Sequence, residues 1–111
     1  MANKKQFLPI IPVRGFIVFP KMTFHFDVAR KKSIAAIEQA VAANGYVFLA
    51  AQKDAALDEP SEDDIYGFGT IARIKQMVRL HEGGVRILAE GMSRGRIIPP
   101  LETEEFYEAL I

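Results

Sequence analysis

Few side chains in this sequence have the types and spacing that catalysis requires. The two histidines, His25 and His81, each lack a second potential metal ligand at a recognised spacing. His25 lies where apolar and polar residues alternate, so we interpret it as a solvent-facing strand residue and not as a general base. The sequence establishes no histidine or lysine arrangement around the serines, Ser33, Ser61 and Ser93. No catalytic residue is therefore predicted.

The acidic and glycine-containing stretches do not form a recognised ion or nucleotide site. Residues 54–64 carry six carboxylates, but they lack the regular ligand positions and the glycine of a calcium loop. Gly67 and Gly69 are not followed by the helix that a phosphate-binding loop needs, and no Gly-x-x-x-x-Gly-Lys run occurs. We predict a solvated loop at 54–64, with no metal and no cofactor bound by these residues.

The length and composition favour a single small domain without a strong overall charge. Lysine plus arginine and aspartate plus glutamate both total 14 in 111 residues, so no global field attracts nucleic acid or an anionic membrane. There is no cysteine, which excludes disulfides and thiolate zinc sites. No apolar run approaches the ~20 residues of a membrane span. We expect a soluble, cytoplasmic protein whose apolar fraction of 50% supports a core.

The most regular pattern is a long β-hairpin within residues 66–98. Its first arm places one set of apolar residues on one face and a mainly basic set on the other, as in a half-buried strand. The predicted inward set is Ala72, Ile74, Val78 and Leu80, and the outward set is Arg73, Lys75, Met77 and Arg79. Gly83 and Gly84 supply the tight turn before a second arm with Val85, Ile87 and Ala89 inward.

The elements before the hairpin are predicted from changes in period. Leu8 to Val13 contains two prolines and is predicted to be an edge strand or an extended segment. Residues 22–28 alternate as a strand, and residues 30–44 have the apolar stripe of a helix that ends at Asn44-Gly45. The apolar run 46–51 predicts a central strand covered on both faces.

After the hairpin, Pro99 and Pro100 are expected to end the strand. Residues 102–111 then have four glutamates and apolar residues at near-helical spacing. We predict that this tail begins a helix whose apolar side has no partner in the chain, and that the sequence was cut from a longer one. The predicted division is a domain at 1–100 and the start of a linker or helical region at 101–111.

Two surfaces could bind a partner. The basic face of the hairpin could follow a phosphate backbone, or it could simply blunt and neutralise an exposed strand. Its members are Arg73, Lys75, Arg79, Arg86, Arg94 and Arg96. The second surface is surplus apolar area that simple alternation cannot place inward, which either joins the core or forms an adaptable peptide-binding patch. The candidate substrate-binding residues are Phe16, Ile17, Phe19, Met77, Leu88 and Met92.

Five segments in series resemble the amino-terminal domain of Lon, the ATP-dependent protease family. They are Leu8-Pro9-Ile10-Ile11-Pro12-Val13-Arg14-Gly15, Val18-Phe19-Pro20, Val28-Ala29-Arg30 with Ser33 and Ile34, Gly69-Thr70-Ile71-Ala72, and Leu88-Ala89-Glu90-Gly91 with Arg94. The resemblance covers residues 8–98 in order and spacing. It departs at Ala29, where glycine is usual, and at 81–84, where the family usually has a Pro-Asp/Asn-Gly-Thr turn.

The resemblance implies a mainly β (α+β) fold, a small antiparallel PUA-like β-barrel with one packed amphipathic helix. It also implies a non-catalytic domain that recognises unfolded or damaged protein substrates and helps subunits to assemble into a hexamer. In the family, ATP hydrolysis with magnesium and a serine-lysine peptidase site belong to later domains. PUA-like barrels also include RNA binders, so an RNA-binding module is the alternative, although zero net charge and few stacking aromatics on the basic face count against it.

Overall fold

The computed structural model describes residues 7–13, 19–54, 56, 60–81, 83–102 and 107–111. Its elements are β1 (Phe7–Val13), β2 (Thr23–Val28), α1 (Lys31–Ala42), β3 (Tyr46–Gln52), a short 3-10 turn (Glu62–Asp64), β4 (Ile65–Arg79), β5 (Val85–Arg96), β6 (Ile98–Glu102) and β7 (Tyr107–Leu110). The strands form one sheet in the order β2-β5-β4-β3-β1-β7-β6. The predicted mainly β class with one helix is confirmed. The expected antiparallel barrel is not closed, because β2 and β6 are the two ends of the strand order. The sheet is also mixed, because β1 pairs with β3 in parallel.

The predicted hairpin is present as β4 and β5, but two register irregularities change which residues face inward. The pairing shifts between Ile71 and Ala72 and again between Ile74 and Gln76. An extra residue in one strand reverses the alternation beyond it. Val78 was predicted to point inward and this is wrong, since it is 48% exposed. Met77, predicted to point outward, packs against the core instead.

The proline-containing strand β1 is not at an edge, contrary to the prediction. It lies between β3 and β7. Its register with β3 begins at Ile10, after Pro9, and its register with β7 ends at Ile10, before Pro12. Each proline therefore lies within the register of only one neighbour, which limits the cost of its missing N–H. The carbonyl of Pro12 accepts a 2.6 Å hydrogen bond from the Arg30 guanidinium.

The helix and the central strand are confirmed. Helix α1 buries Ser33, Ala36, Ile37 and Ala40 against the sheet, and the small alanine side chains allow a close approach. It ends where predicted, because Gly45 adopts a φ of 85° and its N–H donates to the carbonyl of Ala40. On this side lies the helix-side cluster, the buried residues Ile11, Val13, Val28, Ala36, Ile37, Ala40, Val47, Leu49, Ala72, Val85, Ile87 and Ala89.

The predicted helix at 102–111 is wrong for the residues that the structure describes. Tyr107–Leu110 forms β7, which pairs with β1 in antiparallel register. Tyr107 and Ala109 are buried, so this segment has the period of a strand and its apolar side does have a partner. The Tyr107 hydroxyl donates a 2.8 Å hydrogen bond to the carbonyl of Pro60. Pairing with Phe7–Ile10 of β1 therefore favours a strand at Tyr107–Leu110 over the helix that the local spacing predicts.

These residues complete a second core, the β7-side cluster, which contains Leu8, Ile10, Phe48, Ala50, Ile65, Ile97, Tyr107 and Ala109. Strand β6 crosses residue 100 and tolerates Pro99 and Pro100 because it is an end strand of the sheet. The prolines therefore do not end the strand as expected. The predicted domain limits themselves stay a prediction.

A matched pair of glycine substitutions in β4 tests this packing. A Cβ at Gly69 would run into the carbonyl of Leu49 and lie 2.8 Å from the Phe48 ring, whereas a Cβ at Gly67 meets nothing within 4 Å. We expect Gly69→Ala to lower the free energy of unfolding by about 1–3 kcal/mol, as overpacking does. Gly67→Ala should change it by less than about 0.5 kcal/mol. Urea denaturation of both variants measures this, and equal effects would contradict the packing described.

Candidate functional site

Three large apolar side chains are exposed together around Gly91. Phe19 is 56% exposed, Met22 40% and Met92 41%. The N–H of Gly91 donates to the carbonyl of Met22 at 2.8 Å, and the N–H of Lys21 donates to the carbonyl of Gly91 at 2.7 Å. Met92 follows Gly91 in β5. We call Phe19, Met22 and Met92 the Gly91 patch.

The local sequence explains why these side chains face solvent. The N–H of Met22 donates to the carbonyl of Phe19 at 3.2 Å, which closes a four-residue turn. Pro20 occupies the second position and Lys21 the third with a φ of 68°, the pattern of a type II turn. A Cβ on Gly91 would run into the carbonyl of Phe19, so only glycine lets this turn lie so close to β5.

The exposure of Met92 results from the first register irregularity of the hairpin. Ser93 pairs with Ile71 and Gly91 pairs with Ala72, so Met92 is the extra residue on β5. A bulged residue lacks a partner across the ladder, and bulges often direct a side chain away from the regular surface. The patch therefore stands on a defined backbone feature and not on a loose loop.

Beyond Met92 the hairpin carries further exposed aromatic and cationic side chains. Phe68 pairs with Arg96 and Thr70 pairs with Arg94, so these four side chains share one face of the hairpin. The Arg96 guanidinium lies 4.6 Å from the centroid of the Phe68 ring, and Phe68 is 56% exposed. On the same face of β4, Tyr66 is also exposed, with the ammonium of Lys53 5.7 Å from its ring centroid.

The basic residues of the hairpin divide into paired and unpaired groups. Lys75 binds Glu90 at 3.4 Å, Arg79 binds Glu38 at 3.0 Å, and Arg86 binds Asp27 at 2.8 Å. In the part of the chain that the structure describes, the side chains of Arg73, Arg94 and Arg96 have no carboxylate partner. Neutralisation thus accounts for half of the basic face, and two of the three remaining cations lie next to the Gly91 patch.

The predicted substrate-binding residues do not form one surface. Phe19 and Met92 are exposed and lie close to Gly91. Met77 is partly buried against the helix-side cluster, and Leu88 is half-buried in β5 between its partners on β2 and β4. Phe16 and Ile17 lie outside the described residues. That any of the six binds a substrate stays a prediction.

Sequence reasoning missed Met22, Tyr66 and Phe68. Met22 begins the alternating run that predicts a strand at residues 22–28, but it precedes β2 and belongs to the turn. For the two aromatics there was a signal, because Tyr66 and Phe68 alternate with Gly67 and Gly69. Glycine on alternate positions leaves little side-chain volume on one face, so large aromatics on the other face need not be core residues.

Two concave sites lie away from the patch. One, of about 480 Å³, is a groove between the end of α1 and β4, lined by Val41, Ala43, Asn44, Gly45, Arg73, Ile74, Lys75, Gln76 and Met77. The other, of about 250 Å³, lies near the start of α1 and includes Ser33, whose buried hydroxyl has no hydrogen-bond partner. Within the described ranges no three metal-ligating side chains converge, and no helix is long and apolar enough to cross a membrane.

Comparison with known proteins points to one family. Residues 7–111 match the model of the ATP-dependent protease La (LON) substrate-binding domain. The chain is 52% identical over its full length to a Lon protease of Clostridium acetobutylicum, of which it spans 14%, and 44% identical over 102 residues to Lon protease 1 of Bacillus subtilis, of which it spans 13%.

Solved structures agree on the fold. The N-terminal domain of a Mycobacterium avium complex Lon protease superimposes with a TM-score of 0.72 at 24% identity, covering 94% of this chain and 52% of that one. A Lon N-terminal domain protein from Xanthomonas campestris gives a TM-score of 0.70 at 13% identity, covering 96% and 59%. At these identities the likeness concerns the fold alone.

The paired state of Arg86 has a measurable consequence for Asp27. Hydrogen bonds from the Arg86 guanidinium lower the pKa of the Asp27 carboxyl below its ordinary value. The pair therefore stabilises the fold at pH values above the ordinary pKa of an aspartate, and this contribution is lost as the pH falls through the lowered pKa. In an NMR titration, Arg86→Gln should raise the Asp27 pKa towards its ordinary value. Arg94→Gln should leave it unchanged, and an unchanged pKa in Arg86→Gln would contradict the pairing.

Proposed function

Because this chain belongs to the family of ATP-dependent protease La (LON) substrate-binding domains, we propose that it holds exposed apolar segments of unfolded or damaged proteins on the Gly91 patch. The observation that carries the proposal is the joint exposure of Phe19, Met22 and Met92 on a backbone held by hydrogen bonds. Several exposed large apolar side chains on neighbouring parts of a small domain are typical of a protein-binding site.

The proposed mechanism is non-covalent burial. An apolar segment of a client would cover the Gly91 patch and remove apolar area from water, at about 25 cal/mol per Å². The two methionines have flexible, polarisable side chains that adapt to different client residues, while the Phe19 ring supplies a larger flat contact. Such a surface favours apolar character over an exact sequence, as the recognition of many damaged proteins requires.

The activity of the whole protein is proposed from its relatives. The chain spans about one seventh of the length of the Lon proteases that it matches. We place ATP-driven serine proteolysis in the remaining length, with misfolded and selected regulatory proteins as its substrates. ATP and magnesium would bind there too, because no phosphate-binding loop occurs in these 111 residues. Assembly with other subunits into a hexamer in the cytoplasm completes the proposal.

The RNA-binding alternative receives no support. The family model describes a protease substrate-binding domain, and the relatives named above are proteases. Carboxylates neutralise three of the six basic residues on the hairpin, which weakens any track for a phosphate backbone.

A double substitution in the patch tests the proposal. Phe19→Ser with Met92→Ser removes two apolar side chains that the structure leaves exposed, so stability should change little. We expect the affinity for a permanently unfolded protein, measured by fluorescence anisotropy, to fall about tenfold, which corresponds to about 1.4 kcal/mol. Val78→Ser is the matched control, because the exposure of Val78, 48%, lies between those of Phe19 and Met92, and Val78 is near the end of β4 that leads into the hairpin turn. Unchanged affinity in the double variant, with an intact fold by circular dichroism, would refute the assignment of the patch.

A further inference from the structure

Two arginines that follow the Gly91 patch along β5 have no carboxylate partner among the residues that the structure describes. Arg94 and Arg96 are exposed on the same face of β5, two and four residues beyond Met92. The three paired basic residues, Lys75, Arg79 and Arg86, lie towards the turn end of the hairpin. Among the described basic residues of the hairpin, those without a carboxylate partner are therefore concentrated where apolar side chains are also exposed, with Arg73 as the exception.

The contact between Arg96 and Phe68 positions the Arg96 guanidinium and still leaves it able to bind an anion. The guanidinium carbon lies over the ring at 4.6 Å from its centroid, and this cation–π contact involves no carboxylate or carbonyl acceptor. The N–H donors of a guanidinium lie in its plane and remain available for a carboxylate, which they bind in a forked geometry. The ring also holds the side chain in place, so less conformational freedom is lost when an anion binds.

From this geometry we propose that Arg94 and Arg96 make the patch select apolar client segments that carry carboxylates. This inference rests on the proposed function and names the class of client that the same surface prefers. Residues i and i+2 of a strand are ~7 Å apart on one face. An extended client lying along β5 would therefore match both arginines with acidic residues at two alternate positions, while its apolar residues cover Phe68 and the Gly91 patch.

Nucleic acid fits this surface less well than an acidic protein segment. A protein that makes about six to ten phosphate contacts gains much of its affinity for nucleic acid from them, whereas this end of β5 has two arginines without a carboxylate partner among the described residues, and the chain has no net charge. The Gly91 patch is apolar, and apolar side chains give a phosphate backbone no binding partner. An exposed ion pair between an arginine and a carboxylate contributes little binding free energy. The arginines would therefore adjust selectivity, and the apolar contact would remain the main source of affinity.

The test compares the affinities of two synthetic peptides for this chain. The peptides share the same apolar residues, and one contains Glu-x-Glu where the other contains Gln-x-Gln. We expect the acidic peptide to bind about three- to tenfold more tightly at low salt, and this preference to disappear at high salt. In Arg94→Gln with Arg96→Gln the preference should be lost while the affinity for the neutral peptide is retained. Arg94→Gln alone, which keeps the Arg96–Phe68 contact, should lose part of it. Arg73→Gln is the control, because Arg73 is also exposed and unpaired but lies outside this end of β5, and it should keep the preference.

The outcomes separate the two proposals. Equal binding of both peptides by the unmodified chain, or a preference that survives in the double variant, overturns the selectivity and leaves the apolar patch in place. Binding of neither peptide overturns the proposed function together with the selectivity. A single-stranded RNA that binds more tightly than the acidic peptide, and loses its binding in the same double variant, would assign the arginines to nucleic acid instead.

Discussion

The pairing of β4 with β5 is the constraint on which the rest of this structure depends. Strand β3 pairs with one side of the hairpin and β2 with the other, so both the helix-side cluster and the turn at Phe19–Met22 take their positions from it. Its two register irregularities have opposite effects. The first leaves Met92 unpaired and exposed, and the second turns Met77 towards the core and Val78 towards solvent. The core and the candidate site are thus set by the same ladder.

Much of the fold could be predicted from the sequence because its strongest signals are local. The helix at Lys31–Ala42, the buried strand β3 and the existence of the hairpin all follow from period and turn residues within short windows. The position of β1 inside the sheet and the strand at Tyr107–Leu110 could not be predicted this way. Both depend on a pairing between segments about a hundred residues apart, which local spacing does not encode.

The candidate site was harder to predict than the fold for a physical reason. A shift of one residue in register changes the face of every side chain beyond it. The alternation of residue types along β4 does not indicate where these shifts occur. Met77 and Met92 therefore looked alike in sequence, yet one packs and the other is exposed. The charged residues were equally hard to interpret, because the zero net charge of the chain does not show which cations form ion pairs. Lys75, Arg79 and Arg86 form ion pairs, and they lie apart from Arg94 and Arg96 along the hairpin.

Whether clients contact the Gly91 patch can be measured by a backbone-amide NMR titration with an unfolded protein. Binding at the patch should perturb the amides of residues 19, 21, 22, 66–68 and 91–96 and leave those lining the groove between α1 and β4 unaffected. Perturbations concentrated at residues 41–45 and 73–77, around that groove, would refute binding at the patch and place client binding in the groove instead.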